Sequence, residues 1–430
     1  MDRMIESFLA QYKAQGACVG VIDHKGQWKY KKVYNDAMCP HPVAEQSRYG
    51  IASITKLLTA IVMLKGVTSN WWSLDDSISD YFPSFNRRDI RIHHFLNHTS
   101  GYYPQPRTTI SQICQKTGFK QEVYDCGLSP EYMDQAVAIL IDKLNAKTKQ
   151  HSHPGTHVSY FNDGYALLGE VIRVASPYVH YEAAVQDLIF KPLGMHDSTT
   201  TYLDVNKDDQ TTFQYYWIED QCIEIKDYYD NAFALQGGGA AKSTLQDMGK
   251  LATWLMQPSN DMLAHLETHL REVGYGTQYG FGSQYIQTEI GNVVGHAGSL
   301  TGVSSALFIN ETKTEAAIVL CNTSDIPVQK LALMMLDAMP KDTPDEVSWC
   351  LEKMNALYGS YCAGEGYSVE ISNENVKIDG VNHTYTTCKC DYIRVSTDNN
   401  PIYLKIIFEE TDVIGIRFGL RMLEKTNEKN

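Results

Sequence analysis

Ser53 and Lys56 stand three residues apart in the stretch RYGIASITKLLTAIVMLKG, residues 48–66. At positions i and i+3 of a helix two side chains share a face, so the lysine reaches the serine hydroxyl from one turn further on. A serine that attacks a carbonyl needs a base. An ordinary lysine, with a pKa of about 10.4, is charged at neutral pH and accepts nothing. Burial lowers that value, and a shift of about three units costs roughly 4 kcal/mol. The neighbours Ile54, Leu57, Leu58, Ile61, Val62 and Leu64 cover nearly the whole circumference of such a helix. A serine in the first turn also turns its own backbone N–H outward, where it can hold an oxyanion. Taken alone, the tetrapeptide fits a helix cap with a snorkelling lysine better, because chance supplies roughly one or two S-x-x-K patterns in a chain of this length.

Two later stretches change that weighing. HPGTHVSYFNDGYALLGEVI places Tyr160-Phe161-Asn162 just before a helix that carries Leu167, Leu168, Val171 and Ile172 inward. VVGHAGSLTGVSSALFI places His296-Ala297-Gly298 just before a strand. S-x-x-K, Y-x-N and H-x-G in this order resemble the serine β-lactamase and penicillin-binding-protein superfamily, in the branch of class C β-lactamases, D-peptidases and related esterases. Further matching stretches follow in order, among them IRIHHFLNHTSGYY, IFKPLGMHDSTTTY, ALQGGGAAKSTLQDMGKLATWL and YGFGSQY. The resemblance covers nearly all of residues 1–340.

It implies an acyl-enzyme on Ser53, with Lys56 and the Tyr160 phenol moving the serine proton to the leaving group. Asn162 would orient the lysine or a substrate amide. The N–H groups of Ser53 and Ser299, the latter following Gly298, would form the oxyanion hole. In the family a cation at the His296 position holds a substrate carboxylate or tunes the tyrosine. Histidine is only partly charged at neutral pH, which argues against efficient β-lactam hydrolysis and leaves amides, esters and D-amino-acid peptides. No metal or organic cofactor is needed. A literal K-T-G at Lys116-Thr117-Gly118 precedes Tyr160 with no strand after it, and a second Y-x-N at Tyr229-Asp230-Asn231 lacks the helix that follows Tyr160; both are set aside. His94, His98, His151 and His157 read as structural or surface residues.

These residues must be carried by elements of two kinds. ACVGVID and QWKYKKVYN read as strands around a His24-Lys25-Gly26 turn, and VSSALFIN and EAAIVLCN form a second hairpin near residue 310. Between them the periodicity is helical over Thr55–Lys65, Glu131–Lys147, Tyr165–Ala175, Tyr181–Phe190, Thr244–Met256 and Met262–Glu272. The economical arrangement joins both strand sets in one antiparallel sheet, flanked by helices and a helical lobe, with the site in the cleft. This is an α/β (α+β), β-lactamase/transpeptidase-like fold expected over residues 1–342. Strand-like runs from about Tyr358 then predict a small all-β, barrel-like domain over 347–430. Within it, Cys388 and Cys390 fall on one face of a strand.

With 430 residues, two domains are the natural division. A formal charge of −14 argues against nucleic acid or an anionic membrane as partner. No stretch is long enough to span a bilayer, and the start lacks a secretory h-region. The 10 cysteines show neither a C-x-x-C pair nor zinc spacing, so reduced thiols in the cytoplasm are expected. The function expected is therefore a cytoplasmic serine hydrolase taking a small molecule or short peptide, of D-aminopeptidase, carboxypeptidase or esterase type. An acyltransferase and a weak β-lactamase are the enzymatic alternatives, and a non-catalytic ligand-binding sensor stands furthest off. Nothing in the sequence sets the oligomeric state.

Overall fold

The computed structural model describes residues 1–105, 130–147, 149–201, 208–225, 232–340, 344–397 and 401–426. An eight-stranded antiparallel sheet runs in the order Trp28–Asn35, Gly16–Asp23, Glu315–Cys321, Val303–Ile309, Gly291–Leu300, Gln284–Thr288, Thr277–Tyr279, Arg271–Gly274. The first hairpin pairs directly with the Val303–Cys321 hairpin, with Val19 opposite Val319, which is the joining expected from the sequence.

Successive side chains of a strand point to opposite faces, and here each face has a core. Cys18, Leu307, Ile318 and Leu320 pack toward the helical side. Val19, Phe308, Ala317 and Val319 pack under helices Asp2–Gln11 and Val328–Met335, against Phe8, Leu9, Leu331 and Ala332. Double coverage explains why Val303–Ile309 is buried at every residue instead of alternating.

On the helical side, helix Thr55–Thr68 runs buried along almost all its length. It lies between the sheet and a lobe that includes Ile92–Leu96, Pro130–Asn145, Asn162–Ala175 and Tyr181–Val185. An apolar helix with no polar face has to be central. Its ends are therefore fixed by the lobe on one side and the sheet on the other. No helix among the described residues is long and apolar enough to cross a membrane.

A nine-stranded sheet follows, in the order Val381–His383, Val376–Ile378, Ser368–Ile371, Gly359–Cys362, Arg421–Thr426, Asp412–Phe418, Ile402–Glu409, Tyr392–Val395, Tyr385–Cys388. Its two edge strands are consecutive in the chain, so the sheet curls into a nearly closed barrel around Val369, Ile393, Leu404, Ile406, Ile416 and Leu423.

Two sequence expectations are corrected. Met262–Glu272 is not one helix: helix Met262–Leu266 stops, His269 takes a φ of +56°, and Arg271–Gly274 joins the sheet edge. Sheet pairing with Thr277–Tyr279 outweighs the apolar spacing that favoured a helix. Cys388 and Cys390 do not share a strand face. The strand ends at Cys388, a turn covers Lys389–Asp391, and Cys390 takes a φ of +56°, leaving Cys388 buried and Cys390 exposed.

Candidate active site

Ser53 lies in a single 3-10 turn, Ala52–Ile54, that runs directly into helix Thr55–Thr68. Ala52 holds a φ of +45°, a costly value for a residue with a Cβ. The turn is held from three sides. Ile51 donates its N–H to Ala241 O at 2.9 Å, and Ser305 Oγ donates to Ile51 O at 2.7 Å. Thr55 Oγ1 accepts from the Ala241 N–H at 3.0 Å. Strand Gly291–Leu300 comes close enough that a Cβ on Gly298 would lie 2.4 Å from both Ile51 O and Ser305 Oγ. Only glycine allows that approach.

Lys56 is fully buried. Its Nζ lies 3.2 Å from Ser53 Oγ, 2.9 Å from Asn162 Oδ1 and 2.7 Å from Gly238 O. The three N–H bonds of an ammonium thus have three acceptors; a neutral amine would keep a lone pair for the serine proton. Desolvation draws the lysine down to about 7; Glu365 and Asp163 oppose the fall and Arg421 adds to it.

Tyr160 and Asn162 enter on the segment leading into helix Asn162–Ala175. The Tyr160 ring is buried, with Lys56 Nζ 4.7 Å from its centroid. Its hydroxyl lies near enough to Ser53 for the serine to pull the phenol's pKa down. The pair still falls short of good hydrogen-bond geometry, which leaves that oxygen buried without a bonded partner. Burial dominates and holds the phenol well above its usual value. The ring of His98 packs on Tyr160 with centroids 4.2 Å apart, and its Nδ1 accepts the Phe161 N–H at 3.1 Å. Among the histidines set aside on sequence, this one props the tyrosine.

His296 is also buried. Its Nδ1 faces Ala297 O, and its Nε2 lies 2.9 Å from the Tyr279 hydroxyl. A carbonyl can only accept, so Nδ1 carries the proton and Nε2 accepts from Tyr279. Burial and Lys56 drive its pKa down to about 3. It is therefore a neutral ring bound to a tyrosine, and a positive charge must come from elsewhere. Gly298 and the exposed Ser299 continue the strand beyond His296. The neighbouring strand Gln284–Thr288 pairs only with Gly291–Gly295, so among the described residues no strand lies along that edge of 296–300.

The missing charge comes from the β-domain. The turn at Gly419 and Leu420 reaches the cleft, where Leu420 O accepts the Tyr160 N–H at 2.8 Å. The Arg421 guanidinium then lies 5.3 Å from the Tyr160 ring centroid. It pairs with Glu365, whose other oxygen accepts from Asn162 Nδ2 at 3.0 Å. Sequence reasoning missed both residues. Each occupies a turn or strand start, 205 and 261 residues beyond Tyr160, and carries no local motif. The set-aside Lys116-Thr117-Gly118 and Tyr229-Asp230-Asn231 lie outside the described residues.

Known proteins share this chain's sequence pattern and fold. The Beta-lactamase family matches residues 1–334. Penicillin-binding protein 4* of Bacillus subtilis is 24% identical over 367 residues, spanning 78% of this chain and 77% of its own. D-aminopeptidase of Brucella anthropi is 22% identical over 311 residues, 70% of this chain and 55% of its own. Among solved structures, the octameric penicillin-binding protein homologue from Pyrococcus abyssi covers 99% of both chains, at a TM-score of 0.66 and 21% identity. That likeness of fold extends through the β-domain.

Proposed function

This chain belongs to the Beta-lactamase family, whose members are serine hydrolases, and on that premise we propose that it hydrolyses a small amide, peptide or ester through an acyl-enzyme on Ser53. D-configured peptides lead the substrates, a preference supported by its similarity to D-aminopeptidase. The observation that carries the reading is the buried Lys56 Nζ, 3.2 Å from Ser53 Oγ and drawn down to about 7.

In this reading Ser53 Oγ attacks the carbonyl and its proton passes to Lys56. The developing oxyanion takes the N–H groups of Ser53 and Ser299. Tyr160 remains a phenol and gives its proton to the leaving group, being recharged from Lys56 as the site resets. Water then attacks the acyl-enzyme with the same groups reversed. Asn162 holds the lysine, and Gly298 lets the strand approach the nucleophile turn. Arg421, not the neutral His296, is the cation available for an anionic part of the substrate. We place the protein in the cytoplasm, a reading supported by the free state of every described cysteine.

Intact-mass analysis tests the nucleophile. Exposure to a fluorophosphonate should add one adduct to the wild type and none to Ser53→Ala; a wild type that gains no mass overturns the assignment. A stable penicillin adduct points to a peptidase and rapid turnover to a lactamase, and a panel of D and L esters and amides then separates esterase from D-peptidase.

A further inference from the structure

Resting on the reading of Ser53 as nucleophile, we propose that Glu365 of the β-domain is a positioning residue, which fixes Asn162 against Lys56 and so completes the catalytic centre across the domain boundary. Three contacts make the chain. Lys56 Nζ donates to Asn162 Oδ1 at 2.9 Å, Asn162 Nδ2 donates to Glu365 Oε1 at 3.0 Å, and Arg421 Nε donates to Glu365 Oε2. The Glu365 side chain is only 8% exposed, so water does little to screen its charge.

An asparagine amide has two orientations of nearly equal shape, and its neighbours decide between them. Reversed, Asn162 would turn its NH₂ toward the lysine and its oxygen toward the carboxylate. Lys56 and Glu365 both reject that arrangement. With Glu365 neutralised, one of the two constraints on the amide is gone, and of the three acceptors that hold Nζ, Asn162 Oδ1 is held less firmly while Gly238 O stays in place.

Charge follows the same path. The groups facing Lys56 are Ser53, the phenols Tyr160 and Tyr165, Asp163, His98, His296, Glu365 and Arg421. His98 and His296 are neutral by burial, Tyr160 is a phenol, and burial pushes Asp163 up to about 7. The balance at the lysine therefore rests chiefly on the anion Glu365 against the cation Arg421, both supplied by the β-domain. Glu365 and Arg421 lie 309 and 365 residues beyond the base they tune, yet one amide bridges the gap.

The test is the second-order rate of Ser53 labelling by a fluorophosphonate as a function of pH. Glu365→Gln keeps the shape and removes the charge. Its midpoint should move to lower pH by roughly half to one unit, with a plateau about tenfold or more below wild type. Arg421→Gln should move the midpoint the other way, and Glu365→Asp should restore it toward wild type. A general structural lesion would not give shifts of opposite sign. Should Glu365→Gln fail to fold, Glu365→Asp and Arg421→Gln still decide the matter. A Glu365→Gln profile superimposed on wild type, or shifts in one direction for both charge variants, overturns the proposal while leaving the nucleophile reading intact. Wild-type protein that does not label at all overturns the nucleophile reading instead.

Discussion

Lys56 is a base only if it loses its proton near neutral pH, and the site supplies one dominant reason for that, complete burial. A lysine lowered to about 7 is mostly charged below that pH and mostly neutral above it. Turnover should therefore fall about tenfold per pH unit on the acid side of the midpoint and level off above it. A kcat/KM profile checks this; one that stays flat down to pH 5 would remove Lys56 from the role. Lys56→Ala should lower kcat/KM by about 10²–10⁴. Tyr160 calls for a different experiment. Its hydroxyl is buried and unbonded within the protein, so Tyr160→Phe deletes a polar atom that contributes no fold-stabilising bond. Thermal unfolding should be unchanged or slightly raised, while turnover drops by about 10² or more. A large fall in Tm would mean that the hydroxyl is structural. The same reasoning explains what the sequence revealed and what it did not. Ser53, Lys56, Tyr160 and Asn162 lie on two short segments at helix starts, where spacing and order are visible. The neutrality of His296 depends on total burial and on Lys56 nearby, and neither shows in H-x-G.

The elements matter here through how closely they approach one another. The nucleophile turn and strand Gly291–Leu300 meet at Gly298, where an added Cβ would lie 2.9 Å from Ala52 Cβ besides striking Ile51 O and Ser305 Oγ at 2.4 Å. None of these atoms is the free end of a flexible chain. Gly298→Ala must then push the strand from the turn, at about 1–3 kcal/mol, and pull apart the two N–H groups proposed to hold the oxyanion. Displacements near 1 Å cost about 10² in rate. Labelling of Ser53 should slow by that order while the protein remains folded by circular dichroism; an unchanged labelling rate would show that the contact is not tight. Most elements were legible because their burial patterns are regular: the Val303–Ile309 and Glu315–Cys321 hairpin and helix Thr55–Thr68 appear where their apolar runs lie. The failures at Met262–Glu272 and at Cys390 fall where a left-handed residue breaks a run. His269 and Cys390 are not residues whose type announces a turn.

At the scale of the whole molecule, the β-domain is a wall of the proposed active site. Leu420 packs with Val158, Tyr160, Val273 and Tyr279, all from the hydrolase part. Met422 N–H donates to Ser159 Oγ at 3.3 Å, and Tyr392 donates to Glu272 at 2.6 Å. No periodicity or composition predicts these pairings, since they join surfaces that each look ordinary in sequence. They also imply that docking and catalysis are linked. Leu420→Ala removes apolar contact worth about 1–2 kcal/mol while leaving the backbone carbonyl that receives the Tyr160 N–H. The barrel's own core, built on Leu404, Ile406, Ile416 and Leu423, is separate and should not change. Hydrogen exchange followed by mass spectrometry can tell the two apart. In Leu420→Ala the amides of residues 158–161 should exchange faster, and those of 402–418 should keep wild-type protection. Ser53 labelling should slow by several-fold at the same time. Faster exchange in both segments would point to a destabilised barrel, and slower labelling without any change at 158–161 would separate docking from catalysis.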